Sequence, residues 1–257
     1  KPTVHVQFGE ARALLAGDAL QALAFELLTP EGADVPPAMQ AELCRLLARA
    51  AGAQGMAGGQ AIDLASVGKP LIETELRGMH ERKTGALLQA SVRMGAACGS
   101  AVTPAARAAL DDFGAVIGLA FQVVDDILDV TADSAELGKT AGKDAAADKP
   151  TYVSLLGLPA AQALADALCS QAHAALDASG LPRVERLRAL ADLVAAYLDL
   201  SRDERQEVLE TIDVQARIDK VSVYLAKRIE VMRLSQEIGK RTKASLDERQ
   251  REAILRE

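Results

Sequence analysis

The 257 residues are 49% hydrophobic, which is enough to fill a sizeable core, yet they include no Trp and only 3% aromatic residues. Such a core has to be built from Ala, Leu and Val on helices, because the strand-type alternation of apolar and polar residues is scarce. The net charge of −7 and the pI near 5.2 argue against a duplex nucleic acid or an anionic membrane as a partner.

Two helices are predicted in the first part of the chain. Apolar spacing places one over residues 10–28 and the other over residues 38–66, with a turn-rich loop between them. The second helix carries Gly58-Gly59, and two such small residues let a neighbouring backbone approach closely. Packing explains this pair as well as function does.

A third predicted helix begins at Pro70 and carries Lys83-Thr84-Gly85 near its middle. The ammonium group of a Lys and the hydroxyl group of a Thr would suit a contact with a phosphate. The same residues are also typical of an ordinary solvated turn of helix. Both interpretations stay open for this segment.

The fourth predicted helix runs from about Thr103 to Asp129 and ends in three carboxylates. At about 100° per residue, its large apolar side chains fall on one side and a polar stripe lies roughly a quarter-turn away. Three carboxylates beside an apolar wall repel one another strongly where the dielectric constant is low, so we expect a positive charge between them. The stripe consists of Gly118, Gln122, Asp125, Asp126 and Asp129.

Magnesium is the cation that best fits this stripe. It usually keeps several water ligands, takes one or two protein carboxylates and completes its shell with phosphate oxygens. The sequence therefore predicts a Mg²⁺ site at Asp125, Asp126 and Asp129. The alternative interpretation is a solvated acidic helix end.

The segment 130–152, which follows these carboxylates directly, is rich in Gly, Asp and Lys. It is not a nucleotide-binding loop of the Walker type, because no Ser or Thr follows Lys143 and no predicted strand precedes it. Lysines placed immediately after metal-binding carboxylates form the arrangement that a diphosphate would require. The lysines in question are Lys139, Lys143 and Lys149.

Two further helices are predicted over residues 153–178 and 182–198, with Pro182 in the first turn of the second. No candidate partner for any histidine stands out in the sequence. We therefore assign no chemistry to His5, His80 or His173.

The composition changes near residue 200. Of the last 57 residues 25 are charged, against 40 of the first 200, so we predict separate units over residues 1–195 and 196–257. Ser201 begins a capping-box pattern, which predicts the start of a new helix. Between Val214 and Ile238, apolar residues lie on two seams that need partners.

No apolar run reaches transmembrane length, and the start at Lys1-Pro2 carries neither a signal peptide nor an initiator Met. We therefore expect a cytoplasmic protein whose sequence is cut at the front. The three cysteines are widely separated and odd in number, which favours reduced, buried thiols at Cys44, Cys98 and Cys169.

Taken together and in their order, the motifs resemble those of the short-chain trans-prenyl diphosphate synthases of the farnesyl diphosphate synthase type, bacterial subgroup. The resemblance covers about residues 1–195 and implies an all-α fold, the isoprenoid synthase helical bundle. The motifs that carry it are Leu15-Ala16-Gly17-Asp18-Ala19-Leu20, Gly58-Gly59-Gln60, Lys83-Thr84-Gly85, Phe121-Gln122-Val123-Val124-Asp125-Asp126-Ile127-Leu128-Asp129, Gly138-Lys139 and Lys149-Pro150-Thr151-Tyr152.

The resemblance also implies a chemistry. Asp125 and Asp129 would hold Mg²⁺ on an allylic diphosphate, with Asp126 supporting them. The metal ion and the lysines would stabilise the departing diphosphate while the allylic cation alkylates isopentenyl diphosphate, and a proton would then be lost to the released diphosphate. The implied partners are the two diphosphates and further copies of the chain, in a homodimer or another homo-oligomer.

Five other residues acquire roles from the same resemblance. Lys83, Lys139 and Lys149 would bind the diphosphate oxygens. Thr84 and Gln122 would flank the developing allylic cation.

The resembled family carries two acidic motifs. The first lies just before an Arg-Arg-Gly-x-Pro-Thr stretch, of which only Lys1-Pro2-Thr3 is present here. The first acidic motif and the arginines for isopentenyl diphosphate are therefore not in this sequence. We expect negligible condensation activity from these 257 residues alone.

The tail resembles a different family. From about residue 191 to residue 257, the chain is similar to the helical region that links the amino-terminal domain of bacterial Lon proteases to their ATPase module, and no protease or ATPase residues accompany it. The two resemblances overlap within one predicted helix, which suggests a natural or an assembled fusion. Two other functions stay open: a non-enzymatic helical scaffold or oligomerisation fusion, and a terpene cyclase on the same fold.

Overall fold

A computed structural model describes residues 3–32, 35–99, 102–131, 150–195 and 202–211, together with residues 213, 216, 219–221, 223–224 and 227. In these ranges every regular element is a helix, which confirms the predicted all-α fold. The elements are α1 (Val4–Phe8), α2 (Glu10–Leu28), α3 (Pro37–Ala51), α4 (Met56–Ala65), α5 (Glu73–His80), a π-helix (Glu81–Gly85), α6 (Ala86–Cys98), α7 (Pro104–Thr131), α8 (Tyr152–Leu156), α9 (Leu158–Ala178), α10 (Glu185–Ala195) and α11 (Arg202–Glu210).

The long helix α7 organises the bundle, because it packs against α5, the π-helix, α6, α8, α9 and α10. It begins where the sequence predicted, since the hydroxyl oxygen of Thr103 accepts a hydrogen bond from the Ala106 N–H at 3.1 Å. Phe113 and Ile117 are buried on its core side, and each such side chain stabilises the fold by about 1.5–3 kcal/mol.

The burial of α7 extends to its acidic stripe. Phe121 and Leu128, which the apolar pattern assigned to the core side, are only half-buried. Asp126 and Asp129 are 2% and 3% exposed, and Asp125 is half-buried. A solvated acidic helix end, the alternative interpretation of these carboxylates, is therefore wrong.

Two predicted helices are each divided in the structure. The helix expected over residues 38–66 is α3 and α4, and the residues between them include Gly52 and Gly55, which are poor helix formers. The helix expected over residues 153–178 is α8 and α9. Pro159 lies in the first turn of α9, where its missing N–H costs nothing, and in the interior of one long helix it would clash with the preceding turn.

Two smaller expectations are also wrong. Pro182 does not begin a helix, because α10 starts at Glu185. The thiols are free but not buried: Cys98 is exposed, and Cys44 and Cys169 are half-buried.

The first two helices expose many large apolar side chains. On α1 these are Val4, Val6 and Phe8, and on α2 they are Leu14, Leu15, Leu20, Leu23 and Leu27. Among the helices that the structure describes, none combines the length and the apolar character needed to cross a membrane.

The tail begins with α11 at Arg202, as the capping pattern predicted, although Ser201 itself lies outside the described residues. Exposed ion pairs connect the described part of the tail: Lys220 Nζ lies 2.8 Å from Glu207 Oε1, and Arg186 Nη2 of α10 lies 3.0 Å from Asp219 Oδ1. The division into units 1–195 and 196–257 stays a prediction. Of the predicted seam residues, Val214, Ile218, Leu225, Val231, Met232 and Ile238 lie outside the described residues.

Candidate active site

The carboxylate of Asp126 ties the end of α7 to the start of α8. Its Oδ2 accepts a hydrogen bond from the backbone N–H of Tyr152 at 2.8 Å, and its Oδ1 accepts one from Gln122 Nε2 at 3.1 Å. A buried ionised carboxylate is costly unless it is hydrogen-bonded, and these two donors satisfy it. Both oxygens of Asp126 are thus engaged within the protein, which suits a supporting position behind Asp125 and Asp129.

A chain of hydrogen bonds continues from Asp126 towards the predicted phosphate-contact segment. Thr84 Oγ1 donates to Gln122 Oε1 at 3.3 Å, so the amide of Gln122 joins Thr84 on one side to Asp126 on the other. The two residues that the resemblance placed beside an allylic cation are therefore neighbours. They are separated by 38 positions in the sequence.

Lys83 has a partner that sequence reasoning did not identify. Its Nζ lies 2.8 Å from Asp63 Oδ2, and Asp63 is only 4% exposed whereas the Lys83 side chain is 30% exposed. The sequence did carry a signal, because a carboxylate within the apolar helix α4 needs a cation if that helix face is buried. Asp63 holds the inner side of the ammonium group, and the outer side remains accessible.

Lys83 and Thr84 lie on the π-helix, a five-residue element that is often found at functional sites. This element is wedged between α4 and α7 at two glycines. A Cβ on Gly59 would lie 2.2 Å from the Lys83 backbone N, and a Cβ on Gly118 would lie 2.6 Å from Gly85 Cα. The sequence predicted that a neighbouring backbone could approach closely at Gly58-Gly59. The structure shows this approach at Gly59, where the neighbour is the π-helix.

His80 is the buried residue immediately before the π-helix. Its ring stacks on Tyr152 with centroids 5.8 Å apart, and neither ring nitrogen has a hydrogen-bond partner within the described ranges. Burial, assisted by the charge of Lys83 and opposed by that of Asp63, lowers the pKa of His80 to about 4. Burial likewise raises the pKa of Tyr152 to about 12. Both side chains are neutral at pH 7.

The carboxylates at the end of α7 are chemically suited to Mg²⁺. In the part of the chain that the structure describes, no three His, Cys, Asp or Glu side chains form a complete metal-binding group. Mg²⁺ does not need such a group, because one or two carboxylates, waters and substrate phosphate oxygens complete its shell. Asp125 and Asp129, one helical turn apart, fit that requirement. Lys139 and Lys149, the other predicted diphosphate ligands, lie outside the described residues.

The family profile described as polyprenyl synthetase matches residues 1–179. The chain belongs to the polyprenyl synthetase family, whose members are prenyltransferases. A Bradyrhizobium diazoefficiens protein named "Probable farnesyl diphosphate synthase" is 54% identical over 200 residues, which are 77% of this chain and 59% of that protein. The farnesyl diphosphate synthase of Escherichia coli is 45% identical over 198 residues, which are 75% and 66% of the two chains. This chain thus spans about three-fifths of the Bradyrhizobium relative's length.

Solved structures that resemble this chain are also prenyltransferases or prenyl diphosphate synthases. A geranyltransferase from Helicobacter pylori, complexed with magnesium and isoprenyl diphosphate, is similar with a TM-score of 0.66 and 36% identity, over 76% of this chain and 62% of that chain. An FPP/GFPP synthase from Zymomonas mobilis is similar with a TM-score of 0.65 and 40% identity, over 76% and 64%. The family expected from the sequence motifs is confirmed.

A second profile, the substrate-binding domain of the ATP-dependent protease La (LON), matches residues 148–227. This match supports the similarity of the tail to Lon proteases, but it begins well before the expected residue 191 and overlaps the first match. It covers less than a third of the chain.

Proposed function

We propose that this chain forms the allylic-diphosphate part of a Mg²⁺-dependent prenyltransferase site. The reaction is the condensation of an allylic diphosphate with isopentenyl diphosphate to a short-chain prenyl diphosphate such as farnesyl diphosphate. The observation that carries the proposal is the hydrogen-bonded chain from half-buried Thr84 through half-buried Gln122 to buried Asp126, with Lys83 beside Thr84 on the π-helix. We also propose a cytoplasmic location and a homodimer or other homo-oligomer.

Each group has a defined task in this site. Asp125 and Asp129 would hold Mg²⁺, which neutralises charge on the diphosphate when it is bound. Asp126 keeps the end of α7 and Tyr152 together, so the other two carboxylates have a fixed backbone. Lys83 binds a diphosphate oxygen with the accessible side of its ammonium group, and Lys139 and Lys149 are proposed as further ligands.

The reaction breaks the C–O bond between the allylic carbon and the diphosphate, which leaves with the electron pair. The double bond of isopentenyl diphosphate attacks the allylic carbon, and a proton is then lost to the released diphosphate. Thr84 and Gln122, whose side chains are hydrogen-bonded to each other, would stabilise positive charge on the allylic carbon with their oxygen atoms.

Calorimetry with a non-hydrolysable allylic diphosphate analogue tests the diphosphate site. We expect binding that requires Mg²⁺, is abolished by a chelator and is weakened at least tenfold by Asp125→Asn. Asp112→Asn, on the exposed side of the same helix, is the matched control and should bind like the wild type. Equal binding by both variants, or binding that ignores the chelator, would contradict the carboxylate role.

A product assay tests the reaction itself. We expect these 257 residues alone to give negligible labelled farnesyl diphosphate from geranyl diphosphate and radiolabelled isopentenyl diphosphate, because the first acidic motif is not in this sequence. Cyclic products from a single prenyl diphosphate would favour a terpene cyclase. If the chain neither bound the analogue nor formed a product, the scaffold interpretation would be favoured.

A further inference from the structure

A cavity lies between α3, α6 and the start of α7, and its volume is about 540 Å³. Its lining includes none of the residues assigned to the diphosphate site. Small-molecule sites in proteins usually have volumes of about 300–1,000 Å³. The charged side chains in its lining are Glu42, Arg45, Arg49, Arg93 and Arg107.

Two of the four arginines have carboxylate partners. Arg45 Nη2 lies 2.6 Å from Glu42 Oε1, and Arg93 binds both oxygens of Asp111. Gln89 Nε2 also donates to Asp111 Oδ1, at 2.8 Å. These contacts hold the guanidinium groups of Arg45, on α3, and Arg93, on α6, in the lining of the cavity.

The other two arginines bind only neutral oxygens within the described ranges. Arg49 Nη2 donates to Gln54 Oε1 at 3.4 Å, and Arg107 Nε donates to the Val102 carbonyl oxygen at 3.3 Å. Neither forms an ion pair with a described residue. The cavity therefore carries an excess of positive charge in a chain whose net charge is −7.

The charges from the three helices act on one another. The hydrogen bond from Arg45 is the main reason that the pKa of Glu42 is lowered, and the charge of Arg107 adds to it. The hydrogen bond to Asp111 raises the pKa of Arg93, and the charge of Arg45 opposes that rise. Like charges held this close favour a bound anion.

Apart from the neutral polar side chains of Gln54 and Gln89, the rest of the lining is apolar. The small side chains of α3 and α6 leave this space open where larger ones would fill it. Leu46, Ala50, Ala90 and Ala96 are buried, and Ala86 and Ala97 are half-buried.

We propose that this cavity is a second ligand site, which binds a phosphate monoester carrying a short apolar group. The planar guanidinium groups of Arg49 and Arg107 match the oxygens of a phosphate, and the alanines cover the apolar group. The site needs no metal ion, so it is independent of the proposed magnesium-dependent function.

Calorimetry in the presence of EDTA tests this site with n-hexyl phosphate and inorganic phosphate as probes. Burial of each CH₂ group strengthens binding about fourfold, so hexyl phosphate should bind at least tenfold more tightly than inorganic phosphate. Arg49→Gln with Arg107→Gln should weaken both ligands at least tenfold. The charge-matched control is Arg12→Gln with Arg186→Gln, two exposed arginines elsewhere, and should change neither by more than twofold.

A variant of the apolar wall gives an independent readout. Ala97→Leu narrows the cavity and should weaken hexyl phosphate while leaving inorganic phosphate unchanged. If hexyl phosphate binds no more tightly than inorganic phosphate, the cavity binds an adventitious anion only. The same conclusion follows if the Arg12→Gln, Arg186→Gln control loses as much affinity as the Arg49→Gln, Arg107→Gln variant. Binding to phosphatidate vesicles without binding to free hexyl phosphate would assign the arginines to a lipid surface, which would also overturn the proposal.

Discussion

The pair of Lys83 and Asp63 shows how one buried carboxylate can position a ligand-binding cation. Asp63 occupies the buried side of the Lys83 ammonium group, which fixes the direction of a flexible four-carbon side chain. Without that contact, the lysine would have to lose side-chain entropy when a diphosphate binds.

We expect Asp63→Asn to weaken analogue binding about five- to tenfold and to lower the free energy of unfolding by about 1–3 kcal/mol, because Lys83 loses a charged partner. Calorimetry and urea unfolding measure the two effects. Glu42→Gln breaks an exposed ion pair and should cost at most about 1 kcal/mol. Equal effects of Asp63→Asn and Glu42→Gln on the free energy of unfolding would show that burial does not increase the contribution of the Lys83–Asp63 pair to stability.

His80 makes stability depend on pH in a defined direction. Its pKa is lowered to about 4 in the folded state from an ordinary value of 6.5, so the unfolded chain binds more protons between these pH values. Stability contributed by neutral His80 is complete above pH 6.5 and is lost as the pH falls towards 4, by about 3 kcal/mol.

His80→Phe keeps an aromatic ring against Tyr152 and removes the titration. Its free energy of unfolding should therefore fall less than that of the wild type between pH 7 and pH 4, in denaturant titrations at each pH. His5→Gln, at an exposed position on α1, should follow the wild-type curve. A His80→Phe curve parallel to the wild type would refute the assignment.

At the scale of elements, the π-helix depends on the two glycines that face it. A Cβ at Gly59 would meet the Lys83 backbone, which cannot rotate away as a side chain could. We expect Gly59→Ala to cost at least about 2 kcal/mol and to weaken analogue binding, because Lys83 and Thr84 must shift. Thermal unfolding and calorimetry measure both.

Gly78→Ala is the matched control for this prediction. Gly78 lies in helix α5, and beyond the adjacent residues and backbone of that helix no described atom lies within 4 Å of the position that its Cβ would take. It should leave binding unchanged and raise stability by up to about 1 kcal/mol. Equal stability of the Gly59→Ala and Gly78→Ala variants would contradict the steric contact between Gly59 and the π-helix.

The elements also show which features a sequence can predict. The extent of α7 followed from its apolar period, and the proximity of Thr84 and Gln122 followed from family resemblance. The π-helix could not be predicted from the sequence. Its extra residue per turn is set by the approach of α4 and α7, which is a tertiary contact. Asp63 within an apolar helix signalled a need for a cation, but nothing local identified Lys83, 20 positions away, as that cation.

At the scale of the whole molecule, the described contacts between α10 and the tail include the exposed ion pair of Arg186 and Asp219. Exposed pairs contribute at most about 1 kcal/mol. We therefore predict that removing residues 201–257 leaves the helical content and analogue binding of residues 1–200 intact, as measured by circular dichroism and calorimetry. Loss of folding on removal would show that the tail is part of the bundle.

The predicted apolar seams of the tail give a separate test. Leu225→Asp with Met232→Asp should lower the oligomer mass in light scattering, because each charge would face an apolar partner. Val223→Asp, at an exposed position, is the control and should leave the mass unchanged. An unaltered oligomer mass for the double variant would show that the apolar seams are not an assembly surface.

The hydrogen bond between Asp126 and the Tyr152 N–H has a consequence for how the family can vary. It fastens together two points that are 26 residues apart, so the ends of the intervening segment stay in place whatever the length between them. The entropy of closing such a segment grows only with the logarithm of its length, and doubling it costs roughly 0.6 kcal/mol. Changes of length between residues 132 and 148 should therefore cost little stability, whereas those that displace Lys139 or Lys149 should weaken the proposed diphosphate contacts.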